Sequence, residues 1–190
     1  MKAAIEARMQ LKDKMHNKVS FNDIIVKASA IALSRHQAIN SSWMGDTIIE
    51  HGDVHIAVAV AIEEGLMTPV LRHVDQKGLI QISSETRELA GMARDRKLAS
   101  EQMEGSTFTI SNLGMFGIEE FTAIINPPNA CILAVGAIRD VPVIENGAVV
   151  PGKRMKVTLS SDHRIVDGAK AADFLNTLRS LIENPLSMLL

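Results

Sequence analysis

Residues 54–62 alternate strictly between bulky and small side chains, and this alternation constrains the fold more than any other feature of the sequence. Every second residue is valine or isoleucine, and the positions between them hold one histidine and three alanines. A period of two residues is that of a β-strand, whose side chains point alternately to two faces. We therefore predict one central strand over residues 54–62, with another layer packed closely on its alanine face.

Four helical patterns accompany this strand. Ser20 and Asp23 form a variant of the capping box ahead of a helix over residues 21–35. Apolar residues lie nearly all round that helix, which predicts burial on both of its sides. The other helices are predicted over residues 3–15, 79–96 and 167–183.

Shorter apolar runs predict the remaining strands, over residues 47–50, 66–72, 107–111, 130–138, 141–144, 148–150 and 155–159. Asn146-Gly147 lies between two of them and predicts a tight hairpin, because this pair readily adopts the positive φ angles of such a turn. Helices and strands are mixed along the chain without an internal repeat. This order predicts a single α/β domain with a largely antiparallel or mixed sheet.

Composition excludes several classes of protein. The 190 residues are 46% hydrophobic and 22% charged, which is typical of a globular domain. A net charge of −2 without a basic tract argues against nucleic acid as the main partner. No apolar run is long enough to cross a membrane. The single cysteine, Cys131, excludes an internal disulfide and fits a reducing compartment.

A histidine stands where the last predicted strand gives way to the last helix. His163 is flanked by Asp162 and Arg164, and Asp167 follows one helical turn later. A junction anchored on both sides can hold an imidazole in one orientation, and histidine readily takes and returns a proton near neutral pH. A satisfied ion cluster at a helix start explains these residues equally well. The other five histidines are interpreted as surface or structural residues.

Ser111, at the end of the predicted strand 107–111, is the second candidate. It could be a nucleophile, an oxyanion donor or a turn residue, and the absence of a Gly-x-Ser-x-Gly elbow favours the turn residue. A metal site formed by His163 with Asp162 and Asp167 is disfavoured, because a second histidine at ligand spacing and a cysteine pair are both lacking. The glycines form no phosphate-binding loop.

Several segments resemble, in the right order, the sequence blocks of the 2-oxoacid dehydrogenase acyltransferases. Residues 163–168, His-Arg-Ile-Val-Asp-Gly, are similar to the His-Arg-x-x-Asp-Gly signature of that family. Residues 65–70, 107–117, 125–128 and 185–190 are similar to further family blocks. The resemblance covers essentially the whole chain. It implies the α/β fold that the family shares with chloramphenicol acetyltransferase, a central mixed sheet flanked by helices.

The resemblance also implies roles for three residues. His163 resembles the general base that removes the proton from the thiol of a dihydrolipoyl group, so that the thiolate attacks the thioester of acyl-CoA. Ser111 matches the serine whose hydroxyl stabilises the tetrahedral oxyanion. Asp167 matches a position whose side chain holds the loop and His163 in place. No metal is implied.

Family members form homotrimers that build a hollow core of 24 or 60 subunits, with the histidine and the serine of each site contributed by different chains. The implied partners are lipoyl domains, which carry the lipoyl group, and the other subunits of the dehydrogenase complex. The apolar residues 186–190 match an end that forms contacts in the core. The implied compartment is the bacterial cytoplasm or, alternatively, the mitochondrial matrix.

By the same resemblance, residues 1–190 are the acyltransferase catalytic domain without its N-terminal arm, and no lipoyl or subunit-binding domain is present. Asn40-Ser41-Ser42-Trp43 resembles the acetyl branch, that of pyruvate dehydrogenase. The alternatives are transfer of another 2-oxoacid acyl group, a non-catalytic structural core, acetylation of a small-molecule alcohol and, last, a serine hydrolase.

Overall fold

The computed structural model describes residues 1–15 and 19–189, and the side chains of residues 12–15 and 189 are left out of the description. His16 and Leu190, for which surface and core-contact roles were predicted, therefore lie outside the described part. The helices are α1 (Lys2–Met15), α2 (Phe21–Arg35), α3 (Leu79–Arg94) and α4 (Gly168–Glu183). None of the described helices is long and apolar enough to cross a membrane.

Eleven strands lie in the described part of the chain. They are β1 (Ser41–Trp43), β2 (Ile48–Glu50), β3 (Ile56–Val58), β4 (Val60–Ile62), β5 (Gly65–Met67), β6 (Val70–Leu71), β7 (Phe108–Asn112), β8 (Cys131–Val135), β9 (Arg139–Glu145), β10 (Ala148–Arg154) and β11 (Val157–Ser161).

A five-stranded mixed sheet in the order β11-β8-β7-β3-β6 forms the centre of the molecule. The three inner strands are parallel to one another, and each outer strand is antiparallel to its neighbour. The pairs β1–β2, β4–β5 and β9–β10 are separate two-stranded sheets. The predicted α/β class and mixed sheet are confirmed.

The helices pack on one face of the central sheet. A single core cluster joins α2 and α4 to the sheet, and the Phe108 and Phe174 ring centroids lie 5.7 Å apart across that contact. The capping box of α2 is present as predicted: Ser20 Oγ accepts from the Asp23 N–H, and the Asp23 carboxylate accepts from the Ser20 N–H. Isoleucine, valine, leucine and alanine side chains of α2 are buried, which confirms its predicted burial.

The opposite face of the sheet is covered by the segment 118–129. Ser160 Oγ donates to the Ala123 carbonyl at 2.7 Å, and Asn129 Nδ2 donates to Thr109 Oγ1 at 2.8 Å. Ala57 belongs to the same cross-strand row as Thr109 and Ser160 and is fully buried. The close layer predicted on the alanine face is therefore confirmed at Ala57.

The prediction of one continuous strand over residues 54–62 is wrong. β3 lies in the central sheet, whereas β4 pairs with β5 in a small hairpin of its own. The tight turn at Glu63 and Glu64 lets these two strands pair locally and carries them away from the central sheet. Ala61 is consequently exposed.

Other strand boundaries differ from the predictions because tertiary contacts set them. β8 ends at Val135, before the predicted end at 138. The reason is the tight approach of the chain at Gly136, where a Cβ would lie 2.0 Å from the Glu119 carbonyl oxygen. The hairpin β9–β10 is longer than predicted, and its turn contains Asn146 and Gly147 at positive φ, as predicted.

Candidate active site

The His163 turn, residues 162–166, joins β11 to α4. Its first residue is fixed to the sheet, because the Asp162 N–H donates to the Ala130 carbonyl at 2.8 Å. The Asp162 carbonyl accepts the N–H groups of Ile165 and Val166, each at 3.0 Å. Both of these apolar side chains are buried and anchor the far side of the turn. His163 therefore stands on backbone held at both ends, as the sequence predicts.

The His163 side chain is exposed. Within the described part of the chain, its imidazole makes no hydrogen bond or ion pair at the distances where such contacts form. An exposed imidazole on a rigid turn is free to exchange a proton with a group that approaches from outside the chain.

Asp162 and Arg164, which flank His163, bind each other, and Arg164 also contacts Trp43, a residue distant in sequence. The Arg164 guanidinium donates from Nε to Asp162 Oδ1 at 3.0 Å and from Nη2 to Asp162 Oδ2 at 2.6 Å. The carbon at the centre of the same guanidinium lies 4.7 Å from the ring centroid of Trp43. The hydrogen bonds from Arg164 hold the pKa of Asp162 below its ordinary value. An ion cluster is one of the two interpretations that the sequence leaves open here, and the contact with Trp43 is not among its predictions.

Asp167 is the N-cap of α4. Its carboxylate accepts from the Lys170 N–H at 2.9 Å and lies 3.5 Å from Lys170 Nζ. The hydrogen bond from that N–H, followed by the nearby charge, holds the pKa of Asp167 below its ordinary value. The cap fixes the start of α4, directly after the His163 turn. A role of Asp167 in supporting His163 stays a prediction.

Ser111 lies near the carboxyl end of β7, beside Ala134 of β8. The turn after it is held by Asn112, whose Oδ1 accepts the Gly114 N–H at 2.9 Å and whose Nδ2 donates to Asn22 Oδ1 at 3.2 Å. Ser111 Oγ makes no hydrogen bond to the side chains or backbone that the structure describes. This hydroxyl is therefore available as a donor to an outside group.

The sheet register places Ser111 and Ser161, which comes two residues before His163, toward opposite ends of the strands. Ser111 is level with Thr158 across β8, whereas β11 runs on through Ser161 toward the other end of β8. Two strand spacings and three residues of β11 separate Ser111 from Ser161 by about 14 Å, and His163 lies beyond. The sheet register therefore does not bring Ser111 and His163 together within one chain.

A second cluster of titratable groups lies away from His163. Asp53, His55 and His73 are the described residues whose side chains are grouped closely enough to hold a metal ion. His55 Nδ1, however, accepts the His73 backbone N–H at 3.0 Å, so the proton of the neutral ring is on Nε2. Neither ring nitrogen then offers a free lone pair, and we assign no metal to this cluster. Burial is the main cause of the lowered pKa of His55.

Two other histidines have hydrogen-bond partners that the sequence does not predict. His36 Nε2 and Thr177 Oγ1 are 2.8 Å apart, and His51 Nε2 and Ser42 Oγ are 2.8 Å apart. Both pairs join residues of different elements, which fits the structural role predicted for these histidines. They differ from His163, whose ring faces solvent.

Comparison with known proteins bears on all of these residues. The family model described as 2-oxoacid dehydrogenases acyltransferase (catalytic domain) matches residues 1–190. The dihydrolipoyllysine-residue acetyltransferase component of pyruvate dehydrogenase complex from Rickettsia felis is 48% identical over 91% of this chain and 42% of its own length. The mitochondrial counterpart from Schizosaccharomyces pombe is 48% identical over 91% of this chain and 36% of its own length. The chain thus spans less than half of either relative.

Solved structures include close matches to this fold. The cubic core of a pyruvate dehydrogenase multienzyme complex superposes with a TM-score of 0.92 at 38% identity, over 98% of this chain and 79% of the other. Chloramphenicol acetyltransferase superposes with a TM-score of 0.57 at 15% identity, over 86% of this chain and 78% of the other. The second match concerns the fold alone and confirms the predicted fold class.

A third solved structure is informative about spacing. The dihydrolipoamide acetyltransferase of Azotobacter vinelandii has a TM-score of 0.92 and 38% identity, over 98% of this chain and 79% of the other. A serine, a histidine and an asparagine of that enzyme were investigated for roles in its catalytic mechanism. They are spaced along its chain as Ser111, His163 and Asp167 are spaced along this one.

Proposed function

Because this chain belongs to the 2-oxoacid dehydrogenase acyltransferase family, we propose that it moves an acetyl group between coenzyme A and the dihydrolipoyl group of a lipoyl domain. The family membership confirms the resemblance found in the sequence. The observation that carries the proposal is the exposed imidazole of His163 on a turn anchored at both ends. A general base needs this combination of access and fixed orientation.

The proposed transfer begins with a proton. His163 takes the proton of the dihydrolipoyl thiol, and the thiolate sulfur attacks the carbonyl carbon of acetyl-CoA. The tetrahedral oxyanion accepts a hydrogen bond from the Ser111 hydroxyl, a kind of contact worth about 10²–10³ in rate. The carbon–sulfur bond to CoA then breaks, and the imidazolium returns the proton to the CoA sulfur. The transfer uses no metal.

The separation of the two side chains makes the proposed site a shared one. His163 of one subunit and Ser111 of a second would face the same substrate, which fits a homotrimer with sites between its subunits. The segment after Ser111 carries the exposed apolar side chains that such a contact would cover: Met115, Phe116, Ile118 and Ile124. Likeness to the cubic core supports assembly of trimers into a 24-mer, with a 60-mer as the alternative.

The relatives support the proposed acyl group, partners and cellular compartment. Those reported above are named as acetyltransferases of pyruvate dehydrogenase complex, and they favour acetyl over other 2-oxoacid acyl groups. Lipoyl domains, supplying the lipoyl group, and the other complex subunits are the proposed partners of the catalytic domain at residues 1–190. Because bacterial and mitochondrial proteins both occur among the relatives, the bacterial cytoplasm is proposed and the mitochondrial matrix is the alternative.

Replacement of His163 by alanine tests this function. We expect turnover with acetyl-CoA and dihydrolipoamide to fall by about 10²–10⁴, because the general base is lost. His73→Asn is the matched control, since His73 is exposed, follows the outer strand β6 on the opposite side of the sheet from β11, and has a φ of 48°, which asparagine tolerates. The control should keep its activity. Near-normal turnover in His163→Ala would refute the assignment and leave an assembly role.

A further inference from the structure

We infer that Trp43 and Arg164 are positioning residues for His163, and that they act as one stacked unit on its turn. The inference rests on the proposed function, since it concerns how the base is held. It assigns a task to the β1–β2 hairpin, which lies outside the central sheet. Neither residue needs to touch the substrate.

The first step is the bond pattern inside the turn. The Asp162 carboxylate accepts hydrogen bonds from three donors of Arg164: the backbone N–H at 3.0 Å and the guanidinium Nε and Nη2. His163 is the residue enclosed between these two partners. The Asp162 side chain is only 19% exposed, whereas that of Arg164 is 59% exposed. An ion pair with such an exposed arm is weak by itself, because water competes for the guanidinium.

The second step is the contact with Trp43 that restrains the Arg164 side chain. The guanidinium carbon of Arg164 lies over the indole ring of Trp43, 4.7 Å from the ring centroid, within the range of a cation–π contact. A planar guanidinium can stack on a ring and keep its in-plane hydrogen bonds to a carboxylate at the same time. Asp162 thus holds the guanidinium of Arg164 through hydrogen bonds while Trp43 holds it through a cation–π contact, and the turn is restrained by both.

The third step is the anchorage of Trp43 itself. β1 lies beside the start of β8, because the Ala130 N–H donates to the Ser41 carbonyl at 2.8 Å and Ser42 forms an antiparallel bridge with Asn129. Ala130 also accepts the N–H of Asp162. One short piece of backbone therefore positions both the tryptophan strand and the first residue of the His163 turn, so their relative placement is fixed.

Kinetics on paired variants test the positioning role. Trp43→Leu keeps apolar volume without a π face, and we expect kcat to fall about threefold to tenfold while KM for both substrates stays within about twofold. Trp43→Phe keeps a π face and should stay within about twofold of wild type. In an Arg164→Gln background, Trp43→Leu should cause little further loss, because the two residues act through each other.

Fluorescence provides a readout that does not depend on activity. Trp43 is the only tryptophan in the chain, so its emission reports on this site alone. Arg164→Gln should change that emission, whereas the control Arg179→Gln, on the exposed face of α4, should leave it unchanged. Because Arg164 is exposed, this variant is expected to fold even where a Trp43 variant does not.

The outcomes separate the inference from the function it rests on. Full activity in His163→Ala would refute the proposed function. An inactive His163→Ala together with an unchanged kcat in Trp43→Leu would refute the positioning role alone. Emission unaffected by Arg164→Gln, or kinetic losses that multiply in the double variant, would equally overturn the stacked unit.

Discussion

At the scale of the residue, His163 depends on its neighbours for orientation. Its backbone is held by Asp162, whose carbonyl and carboxylate both have partners within the turn, and by the burial of Val166. The sequence fits a catalytic histidine and a structural ion cluster equally well, because both interpretations concern the residues of this turn. Asp162 and Arg164 form the ion pair, and the histidine between them is left exposed.

The Asp162–Arg164 pair predicts a dependence of stability on pH. Hydrogen bonds from Arg164 lower the pKa of Asp162, so the pair stabilises the folded chain above the unfolded aspartate pKa of about 3.9 and loses this effect as the pH falls through the lower folded pKa. We expect Arg164→Gln to lower Tm by about 1–3 °C at pH 7. The difference from wild type should shrink below about pH 4.

Thermal unfolding of both proteins between pH 3 and pH 8 measures this dependence. A Tm difference that stays constant over the whole range would show that the ion pair adds nothing and that Arg164 acts through packing alone.

At the scale of the element, features set by adjacent residues were predicted correctly, whereas features set by long-range contacts were missed. The start of α2 at its capping box and the end of α4 before Pro185 were predicted from adjacent residues. The division of residues 54–62 between two sheets was missed, because it depends on pairing of β3 with β7, a strand distant in sequence. The contact of Trp43 with Arg164 was missed for the same reason.

Two glycines give a matched prediction about the elements that carry the site. A Cβ at Gly136, after β8, would lie 2.0 Å from the Glu119 carbonyl oxygen, whereas one at Gly91, in α3, would meet no atom within 4 Å. We expect Gly136→Ala to lower the free energy of unfolding by about 2–4 kcal/mol, because backbone must shift. Gly91→Ala should raise it by about 0.5–1 kcal/mol through helix propensity.

Denaturant unfolding of the two variants measures both changes. Equal effects of the two substitutions would contradict the tight approach of segment 118–129 to the end of β8. That approach matters for the site because the same segment follows Ser111 and covers its face of the sheet.

At the scale of the whole molecule, the sheet decides what one chain can do alone. Sequence patterns identified Ser111 and His163 as candidates from their local settings, but the register of β7, β8 and β11 is needed to show that Ser111 and the end of β11 before His163 lie toward opposite ends of the strands. The backbone of Ser111 lies about 14 Å from that of Ser161, two residues before His163, whereas reacting atoms must approach to about 3–3.5 Å. The resemblance to the family implied a shared site, and the geometry of the chain supplies a physical reason for one.

Complementation between two inactive variants tests the shared site most directly. Ser111→Ala and His163→Ala are made separately and also coexpressed, so that assemblies containing both variants form, and turnover is measured at equal protein concentration. With random mixing, about a quarter of the sites join an intact His163 of one subunit to an intact Ser111 of its neighbour. If the site is shared, the coexpressed protein recovers up to about a quarter of wild-type turnover. Turnover no higher than that of the more active parent variant would contradict it.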